Sequence, residues 1–164
     1  MRVSNGFQIL VLLAGLWSCS GSRGYVAPAP APQRTPASTV ATFDQAWDAV
    51  IDVFAQRNIP IATIDRSSGL IAATSHGLAS TDAIAWADCG IWKELWTGSV
   101  PIIANRAEFN VLVRRQTGGA SVRVTARWVA EAPNPAGATV TCQSRNVWEP
   151  GLEASIKSVA EKPR

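Results

Sequence analysis

The chain is 164 residues long with a formal charge of +3, a length that suits one ordinary domain. Three of its fifteen Lys and Arg (Arg2, Arg23 and Arg34) precede residue 41, and all twelve Asp and Glu follow it, so the remainder is formally neutral. That balance excludes a strong electrostatic case for nucleic acid, whose binding depends on a basic face that neutralises phosphates.

The chain begins with Met1 and Arg2, followed from Phe7 to Trp17 by an apolar run broken only by Gln8 and Gly15. About eleven residues at ~1.5 Å each give roughly 16 Å of helix, too short for a ~30 Å hydrocarbon core. A charged start, a short apolar run and small residues at its end describe an export signal. The run closes on Leu16-Trp17-Ser18-Cys19, which resembles the lipobox of bacterial lipoproteins. The resemblance implies cleavage after Ser18, a diacylglyceryl thioether on Cys19 and an acylated (palmitate-type) new amino terminus. Residues 1–18 are then the signal peptide. Trp17 stands where the family usually carries a smaller residue. Ser20, in place of an aspartate, resembles the outer-membrane class, so the implied address is the cell envelope, at the outer membrane and facing the periplasm. The plainer alternatives are an ordinary signal peptide or a buried apolar helix that contains a cysteine.

Residues 19–40 read as a tether. Ala27-Pro28-Ala29-Pro30-Ala31-Pro32 lies at its centre, and only Tyr25 and Val26 offer sizeable apolar groups before the end of the stretch. Alternating Pro favours polyproline II at ~3.1 Å per residue, so about twenty residues make a solvated spacer of up to ~60 Å.

Residues 41–164 form the expected single domain. Thr42 and Gln45 make a capping box, and Phe43, Ala46, Trp47, Val50 and Phe54 recur at helical spacing. Asn58 suits a left-handed cap, and Pro60 stops the helix. Strands are expected at 60–65 and 70–74 around Arg66-Ser67-Ser68-Gly69, then at 108–115, 121–130 and 138–144. Their period of two places Phe109, Val111, Val113, Val122, Val124, Trp128 and Cys142 on a core face, with Arg123, Thr125 and Arg127 opposite. A helix over 149–161, with Leu152, Ile156 and Val159 on one side, closes the chain, and Pro150 is tolerated in its first turn. The economical architecture is α+β: a two-layer antiparallel sheet of about five strands, with both helices on one face.

The aromatic-striped leading helix, Ile64-Asp65-Arg66-Ser67-Ser68-Gly69-Leu70-Ile71 entering a hairpin, the meander and the closing helix resemble the helix-grip domains of accessory lipoproteins of the outer-membrane barrel-assembly machinery. Asp88-Cys89-Gly90, and Cys142-Gln143-Ser144 followed by Leu152-Glu153, resemble stretches of small envelope lipoproteins. The chain departs from the barrel-assembly pattern in having one such domain and a Trp-rich insertion.

With Cys19 assigned to the lipid, Cys89 and Cys142 remain, in a compartment where disulfides persist. A Cys89–Cys142 disulfide is the expected state, with two buried thiols as the alternative. His76 is the single histidine and reads as a solvated loop residue. Spacing excludes no Ser/His/Asp constellation, but one histidine without a G-x-S-x-G elbow is poor support for a nucleophilic hydrolase. A Cys142–His76 dyad is the other arrangement to weigh, and it competes with the disulfide. No metal-ligand spacing or phosphate-binding glycine motif occurs, so no cofactor is expected beyond the covalent lipid on Cys19. Arg123 and Arg127, with Arg114 nearby, read either as a patch for anionic headgroups or as charges that keep the sheet soluble.

The insertion at 75–106 is longer than ordinary connections, which makes it functional or separately structured. It carries Trp86, Trp92 and Trp96, the last two at the spacing of one helical face. The three form a candidate interaction surface, or they fold back into the core. The expected function is a non-enzymatic cell-envelope lipoprotein, held to the membrane by its anchor and docking an envelope protein partner as an interaction or accessory module. Outer-membrane assembly or maintenance is the setting implied by the resemblance. The alternative is a lipid or small-molecule binder with its groove between helix and sheet.

Overall fold

A computed structural model describes residues 24–76, 78–94, 98–132 and 137–163. The expected signal peptide, Cys19 and Trp96 lie outside the described residues. In chain order the elements are β1 (Gly24–Val26), β2 (Ala37–Thr39), α1 (Phe43–Gln56), β3 (Ile61–Asp65), β4 (Leu70–His76), α2 (Ser80–Trp86), β5 (Ala87–Asp88), β6 (Ile91–Glu94), β7 (Gly98–Pro101), β8 (Arg106–Gln116), β9 (Gly119–Glu131), β10 (Thr139–Ser144) and α3 (Trp148–Ala160).

The class is α+β. An antiparallel seven-stranded sheet runs β3-β4-β8-β9-β10-β5, with β2 paired to β9 off that path, and β1-β6-β7 make a second, three-stranded sheet. The α1 start follows from its capping box: Gln45 N–H donates to Thr42 Oγ1 at 3.3 Å, and Thr42 N–H donates to Gln45 Oε1 at 2.9 Å. Asn58 adopts φ 53° just past the helix end, a conformation that asparagine tolerates better than most residues.

Both long helices cover one face of the large sheet. Trp47, Val50 and Phe54 of α1, and Leu152 and Ile156 of α3, are fully buried against Val111, Val113, Val122 and Val124. Each such side chain contributes roughly 1.5–3 kcal/mol by leaving water. Arg123, Thr125 and Arg127 alternate with these residues and face solvent.

The two layers differ from the five-strand expectation in what has been added. The insertion is itself structured as α2, β5, β6 and β7. The short helix suggested by the Trp92–Trp96 spacing does not form at Trp92, which lies in β6 between Tyr25 and Val100. Gly90, at φ 76°, turns the chain just before it, and a Cβ there would overlap the Val26 carbonyl oxygen. Paired on both sides, Ile91–Glu94 satisfies its backbone as strand.

The segment read as a solvated spacer also differs, because it lies along the domain. Its ends pair as β1 with β6 and β2 with β9, and its middle is held by side chains. We call residues 24–40 the strap.

Candidate functional site: a cleft along the edge of β9

One side of β9 is paired with β8 from Gly119 to Val129, all but its last two residues. On the other side, β2 pairs with Ala120–Val122 and β10 with Trp128–Glu131. Among the described residues, Arg123–Arg127 therefore face no strand on that side. The strap passes over this gap without closing it. Pro28, Pro30, Pro32 and Pro36 fix φ near −65°, far from the −140° of an antiparallel strand, so the ladder ends at Ala37. The Val124 N–H finds the Glu153 carboxylate instead, donating to Oε1 at 2.9 Å.

Strap and domain are joined by four polar contacts around the gap. Arg34 Nη2 meets Glu153 Oε2 at 2.5 Å, and Arg123 Nη2 donates to the Arg34 carbonyl at 2.8 Å. Ala31 N–H donates to Gln143 Oε1 at 3.4 Å, and Asn146 Nδ2 to the Pro32 carbonyl at 3.3 Å. At the far end, Thr39 Oγ1 donates to Glu161 Oε1 at 2.7 Å and Val40 N–H to the same oxygen at 3.2 Å. The Thr39 hydroxyl, helped by the Val40 amide and Lys157, holds the Glu161 carboxyl below its ordinary value.

The space left between strap, β9, β10 and α3 is a cavity of about 390 Å³, at the small end of ligand sites. Residues 31–35, 123–127 and 141–144 line it, with Asn146, Glu149 and Glu153. The two glutamates are four apart on α3 and only 2 % and 4 % exposed. Glu153 is satisfied by Arg34 and Val124. Glu149 Oε2 is buried with no hydrogen-bond partner among the described residues.

The position of these glutamates follows from the packing of the α3 N-terminus. Trp148 stacks on Phe109 (centroids 4.1 Å, 18° between planes) and meets Trp128 edge-on at 5.9 Å. Asn146, at φ 55°, turns the chain from β10 into the helix, with its N–H on Ser144 Oγ at 2.9 Å. The Cys89–Cys142 disulfide fastens β10, next to the cavity wall, to the segment that follows β5. With its sulfur in that bond, Cys142 has no thiolate to offer a dyad with His76, which ends β4 opposite Arg106.

The aromatic residues singled out in the sequence lie elsewhere. Trp86, half-buried at the end of α2, packs against Trp128 (5.8 Å) and Trp148 (6.4 Å) in the main core. Half-buried Trp92 belongs to the small sheet. The Arg123/Arg127 face is partly neutralised, with Arg127 Nη1 on Glu108 Oε2 at 3.0 Å.

Sequence reasoning missed Arg34, Glu149 and Glu153. A signal existed: Glu149 and Glu153 fall on the same 3–4 spaced stripe as Leu152, Ile156 and Ala160, where a polar residue is out of place unless it has a partner. No protein-family model matches the chain, and no curated protein matches it in sequence.

Proposed function

We propose that the protein is a lipid-anchored, non-enzymatic binding module of the cell envelope, held to the outer membrane through Cys19, and that the β9 cleft is where it takes its partner. The observation that carries this reading is the five-residue break in strand pairing at Arg123–Arg127, beside a cavity lined by a glutamate, Glu149, whose buried Oε2 lacks a donor among the described residues. Unpaired strand backbone is a ready template for an extended segment of another chain. The interface between the helices and the sheet is filled by Trp47, Phe54, Leu152 and Ile156, which favours the sheet edge over a helix–sheet groove as the binding place. A binding role also suits the fixed state of Glu153, whose oxygens are already engaged by Arg34 and Val124.

Two measurements in cells test the reading. Mass spectrometry of the amino-terminal peptide should find diacylglyceryl on Cys19. A photo-crosslinker at Thr125 or Gln143 should give a discrete adduct that the same probe at exposed Ile64 does not. An unmodified Cys19 would remove the anchor, and identical crosslinking from all three positions would remove the cleft.

A further inference from the structure

We propose that the β9 cleft is a recognition site for a cationic group, an alkylammonium or guanidinium that docks on Glu149. The proposal rests on the reading of the cleft as a binding place and adds the chemistry of what it takes. Glu149 is 2 % exposed, it lines the cavity, and its Oε2 has no partner among the described residues. A carboxylate withdrawn from water without a donor is costly, and the cost is offset only by an opposite charge or by hydrogen-bond donors.

The cations around the cavity do not meet that need, because each is engaged elsewhere. Arg34 is on Glu153, Arg127 is on Glu108, and Arg123 donates to the Arg34 carbonyl. The first turn of α3, in which Glu149 stands, favours its charge through the helix dipole but gives Oε2 no hydrogen bond among the described residues. Val124 N–H goes to Glu153, and Asn146 N–H goes to Ser144. Trp128 Nε1 is also buried without a partner among the described residues, but Trp128 does not line the cavity. The arrangement therefore holds one internal guanidinium–glutamate pair, Arg34 with Glu153, beside a second glutamate one helical turn away that has no cation among the described residues. The ligand supplies the missing half of that second pair.

The charged group can come from a free amine or from a Lys or Arg side chain of an extended polypeptide. The second source also gains backbone pairing along β9. Strand alternation turns Ala126 the same way as Val124, toward the gap, so a segment laid there would find main-chain groups as well as Glu149.

Calorimetric titration of the full chain in detergent tests the proposal. The probes are agmatine, a five-residue peptide with a central Lys and neutral flanks, and the same peptide with norleucine in place of Lys. Saturable binding of agmatine or the Lys peptide, weakened at least tenfold for the norleucine peptide and for Glu149→Gln, is the expected result. A Lys peptide tighter than agmatine identifies a polypeptide source, and equal affinities identify a free amine. Should Glu149→Gln fail to fold, the side-chain carboxyl carbon of Glu149 in the unaltered protein should shift with the Lys peptide and not with the norleucine peptide. Absence of saturable binding by either cation, equal binding of the neutral peptide, or a carboxyl signal that moves with neither peptide would overturn the cation site. Cleft crosslinks that persist alongside such a result would leave the docking reading standing, and their absence as well would remove both.

Discussion

Glu153 is the residue on which the strap and the sheet edge both depend. Its side chain is 5 % exposed and that of Arg34 22 %, so this pair lies outside the class of surface ion pairs that contribute little. Truncating Glu153 to Ala leaves the Arg34 guanidinium without its carboxylate and the Val124 N–H without an acceptor. Breaking a buried pair from one side costs about 3–5 kcal/mol, and urea denaturation of Glu153→Ala should show a loss of that order. Glu149→Gln should not, since Glu149 Oε2 has no hydrogen-bond partner among the described residues to strand. A loss below about 1 kcal/mol for Glu153→Ala would mean that the strap contact adds nothing to the fold.

The elements legible in the sequence were those whose signals are local. The capping box of α1, the left-handed Asn58, the alternation in β8 and β9, and the α+β class all follow from short-range patterns, and the structure has them. The small strands were not legible, because their pairing is decided by partners far away in sequence. Gly24–Val26 has no strand pattern until β6 lies beside it, and Ala37–Thr39 becomes β2 only against Ala120–Val122. The shortage of large apolar residues in the strap and its alternating prolines read as a free spacer, and neither could reveal an ion pair between Arg34 and Glu153, 119 positions apart.

The attachment of β2 to α3 through Glu161 makes that element pH-sensitive. Because the folded carboxyl titrates below its ordinary value of 4.5, its stabilisation is complete above that value and is lost as pH falls through the folded one. Asp65, held at about 2 by the Ser67 and Ser68 hydroxyls, titrates in the same direction at the β3–β4 turn, so a local probe is needed. The Val40 amide resonance should titrate with a midpoint below 4.5 and become flat in Glu161→Gln. A midpoint at or above 4.5 would contradict the assigned contact.

At the scale of the whole molecule, the strap alters what an anchor at Cys19 would do. A free polyproline spacer would let the domain range up to ~60 Å from the membrane. With pairing beginning at Gly24, only four residues, Ser20 to Arg23, separate the domain from the proposed lipid site, at most about 18 Å of extended chain from Cys19 to Gly24. The domain would then be held close to the bilayer, with β1, β6 and β7 nearest the attachment point and the cleft framed by the strap itself. No helix among the described residues is long and apolar enough to cross a membrane, so the proposed attachment rests on the lipid. All of this depends on residues 24–40 being part of the fold, and amide hydrogen exchange on the full chain tests that directly. Ala37 and Thr39 should exchange slowly through their pairing with β9, and Val124 should be protected through Glu153 and lose that protection in Glu153→Ala. Exchange of residues 24–40 at the rate of an unstructured chain, with Val124 unaffected by the substitution, would contradict the account.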